Sequence, residues 1–128
     1  MGSGVNLFDV RSKLAAVLAA PDGEWQVYGD LVDAIDVPCL MLLWNAEKFD
    51  PLTSCSGTAN VDVLSVAGRV EPGTTLDVLD NLEAEVWRRL RDDTEQWGVR
   101  SWSGPRVFEV AKVNYIASRI GLRVAVTL

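Results

Sequence analysis

The 128-residue sequence contains no histidine and only two cysteines, Cys39 and Cys55. Without histidine, the Ser-His-Asp and Cys-His nucleophile arrangements and the usual imidazole metal sites are excluded. Two cysteines also cannot supply the four ligands of a structural zinc site. We therefore expect two free thiols in a reducing compartment, with Cys39 as a small core residue because it lies in an apolar run.

Long apolar runs and an excess of basic residues are also missing. No run approaches the ~20 residues of a membrane-spanning helix, and the first residues lack the basic-then-apolar pattern of a secretory signal. The net charge is −6. Binding to nucleic-acid phosphates needs a concentrated basic surface, so this net charge argues against such binding. Contact with DNA that does not involve binding to its phosphates stays open. We predict a protein made in a cytoplasm, with no membrane partner.

The length and the ordinary globular composition predict one domain over residues 1–128. A helical period over 5–20 is followed by Pro21 and Gly23, which predicts a first helix that ends there. A second, longer helix begins near the capping pair Thr74 and Asp77 and is expected to end at Gly98. Its apolar stripe is Leu76, Leu79, Leu82, Val86, Trp87, Leu90 and Trp97.

Four further segments favour strands. Residues 38–45 are almost wholly apolar, which predicts a strand covered on both faces. Residues 59–70 alternate and then change phase, which indicates a bulge or two covered faces. Residues 107–113 and 122–128 form two closing strands, the last being either central in its sheet or an open edge.

The remaining segments are expected to be short or irregular. Residues 24–30 form a short strand or a turn, and the segment ending before Pro38 is a short helical piece. Residues 46–58 are predicted to form a long loop, and 114–121 a loop or one helical turn.

These elements predict an α+β fold with the order α-β-β-α-β-β. Its sheet is expected to be four-stranded and mostly antiparallel, with the two main helices packed on one face.

Three clusters that suggest chemistry have simpler interpretations. The three-residue spacing of Asp30, Asp33 and Asp36 lacks the glycine turn and terminal glutamate of a calcium loop, so a solvated helix face is favoured. The segment TSCSG lacks both the G-x-S-x-G frame and any histidine base. The arginines of the second helix have acidic neighbours one turn away, which favours surface ion pairs over phosphate contacts; they are Arg88, Arg89 and Arg91.

The five tryptophans are the more informative residues. Trp87 and Trp97 belong to the helical stripe and are expected in the core. Trp44 and Trp102 lie where a strand meets a loop, and Trp25 precedes a short strand or turn. Half-exposed aromatic side chains at such positions are enriched in protein interfaces, so both a core rim and an interface stay open.

The order of motifs resembles the tail-terminator proteins of long-tailed bacteriophages, also called tail completion or neck proteins, in the form found in phages of actinobacterial hosts. An apolar N-terminal helix precedes WQVYGDLVDAIDVPCLMLLW, in which a W-x-V-Y turn leads through D-x-P into an apolar strand. A polar loop, a strand ending GRVEPG, the long helix TLDVLDNLEAEVWRRL and a valine-rich hairpin follow.

The resemblance implies a structural virion protein at the head-tail junction. Such proteins form a hexameric ring on the last ring of the tail tube, end tube polymerisation and join the tail to the head-side connector. Genomic DNA passes through the lumen of the ring without sequence-specific binding. An acidic lining of the lumen would repel the DNA phosphates, so the duplex would pass without adhering. The region Glu47 to Thr58 is expected to line the lumen or to touch a neighbouring ring.

The family carries no catalytic, cofactor or metal-binding residues, so none are predicted. The oligomer or partner interface is predicted to contain Trp44, Phe49, Asp50, Trp102 and Arg123. Three alternatives stay open: a head-tail connector or other minor tail protein, a small-ligand binding α+β module, and an enzyme that uses carboxylates.

Overall fold

The computed structural model describes residues 5–20, 24–29, 35–69, 75–93 and 97–127. These residues form seven strands, two α-helices and one 3-10 turn over Leu7–Asp9. The helices are α1 (Val10–Leu18) and α2 (Thr75–Asp92). The strands are β1 (Val5–Asn6), β2 (Gln26–Tyr28), β3 (Cys39–Pro51), β4 (Ser56–Arg69), β5 (Gly98–Trp102), β6 (Arg106–Val110) and β7 (Val113–Thr127).

All seven strands belong to one mixed sheet with the order β1-β7-β4-β3-β2. Strand β7 is central, because β4 pairs with it along one side and β6, β5 and β1 pair with it in succession along the other. The β1–β7 and β2–β3 pairs are parallel, and the other pairs are antiparallel. The last strand is therefore not an open edge over its described residues.

The predicted four-stranded, mostly antiparallel sheet with the order α-β-β-α-β-β is wrong. The sheet has seven strands and mixed pairing, and strands dominate the described residues. The error arose because the short strands β1 and β5 have no length over which a two-residue period can show. Strand β2 is the short-strand alternative given for residues 24–30, but it was not counted in the predicted sheet. The existence of these short strands depends on pairing with β7 and β3, which a local pattern does not report.

The predicted long loop over 46–58 is also wrong. Strand β3 continues to Pro51, β4 begins at Ser56, and only residues 52–55 form the turn. Polar residues are tolerated in this part of β3 because most of them are exposed. An irregularity in the β3–β4 register between Trp44 and Phe49 accommodates the extra residues.

The loop or helical turn predicted for 114–121 is likewise strand, since β7 runs unbroken from Val113 to Thr127. The chain reverses earlier, at Ala111 and Lys112, where Val110 pairs with Val113. These two turn residues have φ of 50° and 67°. A two-residue hairpin turn with positive φ at both positions normally uses Asn-Gly, so Ala-Lys gives no sequence signal of a turn.

The prediction of two covered faces for 38–45 is confirmed. Leu40 and Leu42 are buried in a main core, whereas Cys39 and Met41 are buried in a second, smaller core on the opposite face. The strand over 59–70 shows both features expected of it. Val61 and Leu64 lie in different cores, and the register shifts between Val66 and Gly68.

Both helices contribute to the main core, which contains Val10, Leu14 and Leu18 of α1 with Leu82, Val86 and Leu90 of α2. We call the side of the sheet that they cover the helix face, and the opposite side the far face. The first helix begins at Val10 rather than near residue 5, because Val5–Asn6 pairs with β7. The second ends at Asp92, short of the predicted Gly98. The helical piece predicted before Pro38 lies largely outside the described residues.

The strained β6–β7 turn gives a direct prediction. Replacing Ala111 with Asn and Lys112 with Gly should raise the free energy of unfolding by about 1–2 kcal/mol, because each non-glycine residue in the left-handed region costs about 1 kcal/mol or more. Urea unfolding followed by tryptophan fluorescence measures the change. Unchanged or lowered stability would contradict the positive φ values at this turn.

Candidate interaction surfaces

Two of the predicted interface residues, Trp44 and Phe49, are half-buried on the helix face. Both pack against the main core. The Trp44 ring is also covered by two cations of its own chain, with Lys48 Nζ 4.4 Å and the Arg11 guanidinium carbon 5.9 Å from the ring centroid. The Phe49 ring lies 2.8 Å from where a β-carbon on Gly57 would be. Both aromatic rings therefore have substantial contacts within the subunit.

Asp50 and Arg123 are brought together by a third residue, the buried Asn60 of β4. The Asn60 amide donates to Asp50 Oδ2 at 3.2 Å and to the Glu47 carbonyl at 2.7 Å. Its Oδ1 accepts a bond from Arg123 Nε at 3.5 Å. Asn60 and Arg123 are cross-strand partners in β4 and β7. No local sequence pattern indicates a role for Asn60, because that role depends on the pairing of β4 with β7.

Trp102 forms an exposed aromatic pair with Trp87. Their ring centroids are 5.8 Å apart and the rings are tilted by 33°. Trp102 is 41% exposed and Trp87 is 45% exposed. The Trp102 indole also donates to Glu83 of α2. The prediction that Trp87 is a core residue is therefore wrong: its side chain lies beside β5 at the margin of the sheet, whereas Trp25 and Trp97 are buried.

Four arginines of β5, β6 and β7 lie on the far face. In β7, Arg119 and Arg123 alternate with the core residues Ile120 and Leu122, so they face away from the helices. Arg106 pairs with Ala117, a residue of the smaller core on the far face. The Arg100 side chain approaches Gly121, which lies between Arg119 and Arg123 in β7. We call Arg100, Arg106, Arg119 and Arg123 the arginine patch.

The patch concentrates charge that the overall composition conceals. Residues 97–127 contain one acidic side chain, Glu109, and five basic ones, which are Arg100, Arg106, Lys112, Arg119 and Arg123. All the other aspartate and glutamate side chains of this acidic chain lie before residue 97. The net charge, from which phosphate binding was argued against, does not report this segregation of charge along the chain. The alternation of Arg119, Gly121 and Arg123 with apolar residues was the available signal, but 114–121 was interpreted as a loop.

Buried polar residues hold two arginines of the patch. Asp62, which is 3% exposed, lies with Oδ2 3.7 Å from Arg119 Nε and also accepts from Asn45 Nδ2 at 3.3 Å. Asn60 holds Arg123 in the same way, through Nε. The terminal nitrogens of both guanidinium groups make no hydrogen bond with other described residues, and the side chains of Arg100 and Arg106 make none at all with them.

The arginines of α2 are arranged differently, because each one is paired within the chain. Arg88 donates to both carboxylate oxygens of Glu85, and Arg91 donates to Asp92 at 3.1 Å. Arg89 donates to the Ala19 carbonyl at 2.6 Å and stacks 4.9 Å from the Trp25 ring centroid. The predicted ion pairs with a residue one turn away are confirmed for Arg88 and Arg89, which both pair with Glu85, whereas Arg91 pairs with the adjacent Asp92.

A cleft of about 370 Å³ opens between β5 and β6 at the margin of the patch. Arg106 and Arg119 line it together with Phe108, Ala117 and Ser118. The Ser118 hydroxyl is buried and has no hydrogen-bond partner among the described residues. The cleft is thus lined by both polar and apolar side chains, and two of its lining residues, Arg106 and Arg119, are members of the arginine patch.

Within the described ranges, no cluster of three or more Cys, Asp or Glu side chains is placed to hold a metal ion. Of the three spaced aspartates, Asp30 and Asp33 lie outside the described residues. Within TSCSG, Thr53 and Ser56 share a 2.7 Å hydrogen bond that closes the β3–β4 turn. Neither helix among the described residues is long and apolar enough to cross a membrane.

Both cysteines are free thiols, as predicted, with Cys39 buried and Cys55 exposed. Burial, with a smaller contribution from the nearby charge of Asp36, raises the pKa of the Cys39 thiol from 9.0 to about 12. The neutral thiol is therefore favoured by folding. Its contribution to stability is complete below about pH 9 and is lost as the pH rises from about 9 to about 12.

This difference in burial predicts unequal reactivity. At neutral pH a maleimide should label Cys55 rapidly and Cys39 only after denaturant is added, since the thiolate is the reactive form. Mass spectrometry of the labelled protein counts the modified thiols. The variant Cys55→Ser serves as the control and should remain unlabelled while folded. Rapid labelling of this variant under native conditions would contradict the burial of Cys39.

Comparison with known proteins assigns no family, because no protein-family model matches the chain and no curated protein matches it in sequence. Its function must therefore be inferred from the surfaces described above and from the order of its sequence motifs.

Proposed function

We propose that this protein is a structural subunit of a bacteriophage tail that assembles into a hexameric ring of the tail-terminator type. The ring caps the tail tube, ends its polymerisation and joins it to the head-side connector. This proposal comes from the sequence resemblance. One feature of the subunit supports it: exposed surfaces suited to protein contacts.

The observation that carries the proposal is the exposed Trp87–Trp102 pair. Two adjacent indole rings, each more than two-fifths exposed, present a large apolar surface to solvent. Tryptophans are the residues most often responsible for binding energy at protein interfaces. The two rings contact each other between α2 and β5, and the Trp102 indole donates a hydrogen bond to Glu83. These contacts fix the orientation of the pair in the free subunit. Such preorganisation lowers the entropic cost of association.

The β3–β4 hairpin is assigned to contacts along the tail axis. Its turn is formed by residues 52–55, and Leu52 at this turn is 76% exposed. This segment lies within the Glu47 to Thr58 region that the resemblance assigns to the lumen or to a neighbouring ring. Leu52 would supply an apolar contact to the ring below or above. DNA would pass without sequence-specific binding, because the net charge of −6 repels phosphate at long range.

Substituting the exposed tryptophans tests the proposal. Trp102→Ala and Trp87→Ala should each weaken assembly by about tenfold or more, as expected for a central aromatic contact. Because both rings are already partly in solvent, the free energy of unfolding should fall by less than about 2 kcal/mol. Sedimentation velocity over a range of concentrations measures assembly, and urea titration measures stability.

Trp25→Ala provides the matched control. Trp25 is 7% exposed and its indole donates to the Leu18 carbonyl at 2.8 Å, so this change should cost about 3–5 kcal/mol of stability. Trp44→Ala is expected to impair assembly more than folding only if its half-buried ring also meets a partner. A Trp102→Ala variant that assembles as the parent does would remove the supporting observation.

Ring formation itself is tested by negative-stain microscopy of the protein alone and on tail tubes. The tubes would be polymerised from a purified major tail tube protein. A closed ring with a central hole, or blocked elongation of tubes, is expected. Neighbouring genes for the tube and tape-measure proteins would agree with the proposal. A protein that neither forms rings nor binds tube ends would contradict it.

A further inference from the structure

We infer that copies of this chain bind one another through opposite charges on opposite faces, with the arginine patch of one copy against the acidic first half of α2 of the next. This inference rests on the proposed ring and identifies its lateral contact. The partner surface is a second copy of the same chain. The observations that lead to it are the unpaired donors of the patch, an unpaired acidic surface on the other face, and the placement of the two.

The patch has the donors that an acidic partner requires. Arg119 Nε lies 3.7 Å from Asp62 Oδ2 and Arg123 Nε donates to Asn60 Oδ1 at 3.5 Å, so the terminal nitrogens of both guanidinium groups remain available. Each guanidinium presents N–H donors in a planar fork that matches a carboxylate. Because this fork is planar and rigid, less conformational freedom is lost for each hydrogen bond that it forms.

The complementary surface is supplied by α2. Asp77 and Asp80 are exposed on this helix and form no ion pair with other described residues. The arginines of the same helix lie further along the chain, from residue 88 onwards, and are already paired. The first half of α2 is therefore acidic and unneutralised, whereas its second half is internally balanced.

The fold prevents these two surfaces from meeting within one copy. Helix α2 covers the helix face, its acidic side chains are exposed to solvent, and the arginine patch lies on the far face. Contacts between two different surfaces run head to tail, and they close into a ring when the rotation between copies permits. The charges that are unpaired in one subunit thus become paired in an assembly.

Nucleic-acid phosphate would be the competing partner of such a patch. The chain itself supplies a partner of the required charge, because Asp77 and Asp80 are exposed and form no ion pair with other described residues. Within the patch, the carboxylates of Asp50 and Asp62 lie beside Arg123 and Arg119 and interrupt its positive charge. A continuous phosphate backbone would lie close to these groups, whereas separate carboxylates of a second copy can each bind a separate guanidinium.

Charge reversal in two matched variants tests the inference. The first, Arg100→Glu with Arg106→Glu, reverses exposed patch residues whose side chains make no hydrogen bond or ion pair with other described residues. The second, Asp77→Arg with Asp80→Arg, reverses the acidic surface. Each variant alone should assemble at least about tenfold more weakly than the parent, because like charges would face each other. An equimolar mixture should assemble again, with the two variants alternating around a ring.

Arg91→Glu with Lys112→Glu is the control, because it changes net charge as much as the first variant but at exposed positions outside the arginine patch and outside the first half of α2. It should assemble like the parent. Assembly of the parent should weaken as salt rises, since exposed charges are screened beyond about 8–10 Å at moderate ionic strength. Circular dichroism confirms that each variant is folded, and sedimentation velocity measures assembly.

The outcomes separate this inference from the proposed function. If the first variant forms the same rings as the parent, the charged contact is wrong while the ring stands. If the parent forms a charge-dependent assembly without a central hole, the contact stands and the ring is wrong. Loss of binding to duplex DNA by the first variant, with assembly unchanged, would assign the patch to phosphate and overturn the inference.

Discussion

The long antiparallel ladder between β4 and β7 is the constraint on which the rest of the structure depends. It runs from the Ser56–Thr127 pair to the Arg69–Tyr115 pair, almost the full length of both strands. Both strands are central, so every other element is placed relative to them. Because side chains alternate across a strand, this register decides which residues enter the main core and which reach the far face.

On the helix face the ladder presents Val61 and Val63 beside Ile120 and Leu122, and these apolar side chains pack under both helices. On the far face the same register places Asn60 opposite Arg123 and Asp62 opposite Gly121. The glycine leaves space between Arg119 and Arg123 that the Ser101 and Arg100 side chains approach from β5. One pairing therefore builds both the core that stabilises the subunit and the charged surface that we assign to assembly. Head-to-tail contacts require two different, complementary surfaces on each subunit, and an acidic protein with one basic face has such a pair.

Local patterns predicted the elements that are long and strongly periodic. The apolar run through Leu40 and Leu42, the strand through Val61 and Val63, and the helix carrying Leu82 and Val86 are all present. The failures share one cause. Ala111 and Lys112 turn the chain without a glycine or an asparagine, and β1 and β5 are too short to show a period. Trp87 fits a helical stripe, but the sheet does not extend far enough beside it to cover the ring.

Of the three aromatic residues predicted at the interface, Trp102 is the most exposed, whereas Trp44 and Phe49 pack against the main core of their own subunit.

The sequence by itself determined the segments that can bury an apolar stripe, the free state of both thiols, and the excess of acidic charge. These properties depend on residue type and on spacing within one element. Only the tertiary structure decided that β7 is central, that Trp87 and Trp102 form an exposed pair, and that four arginines from three strands share one face. Those facts depend on which strands pair and in what register, and pairing is set by packing between residues far apart in the chain.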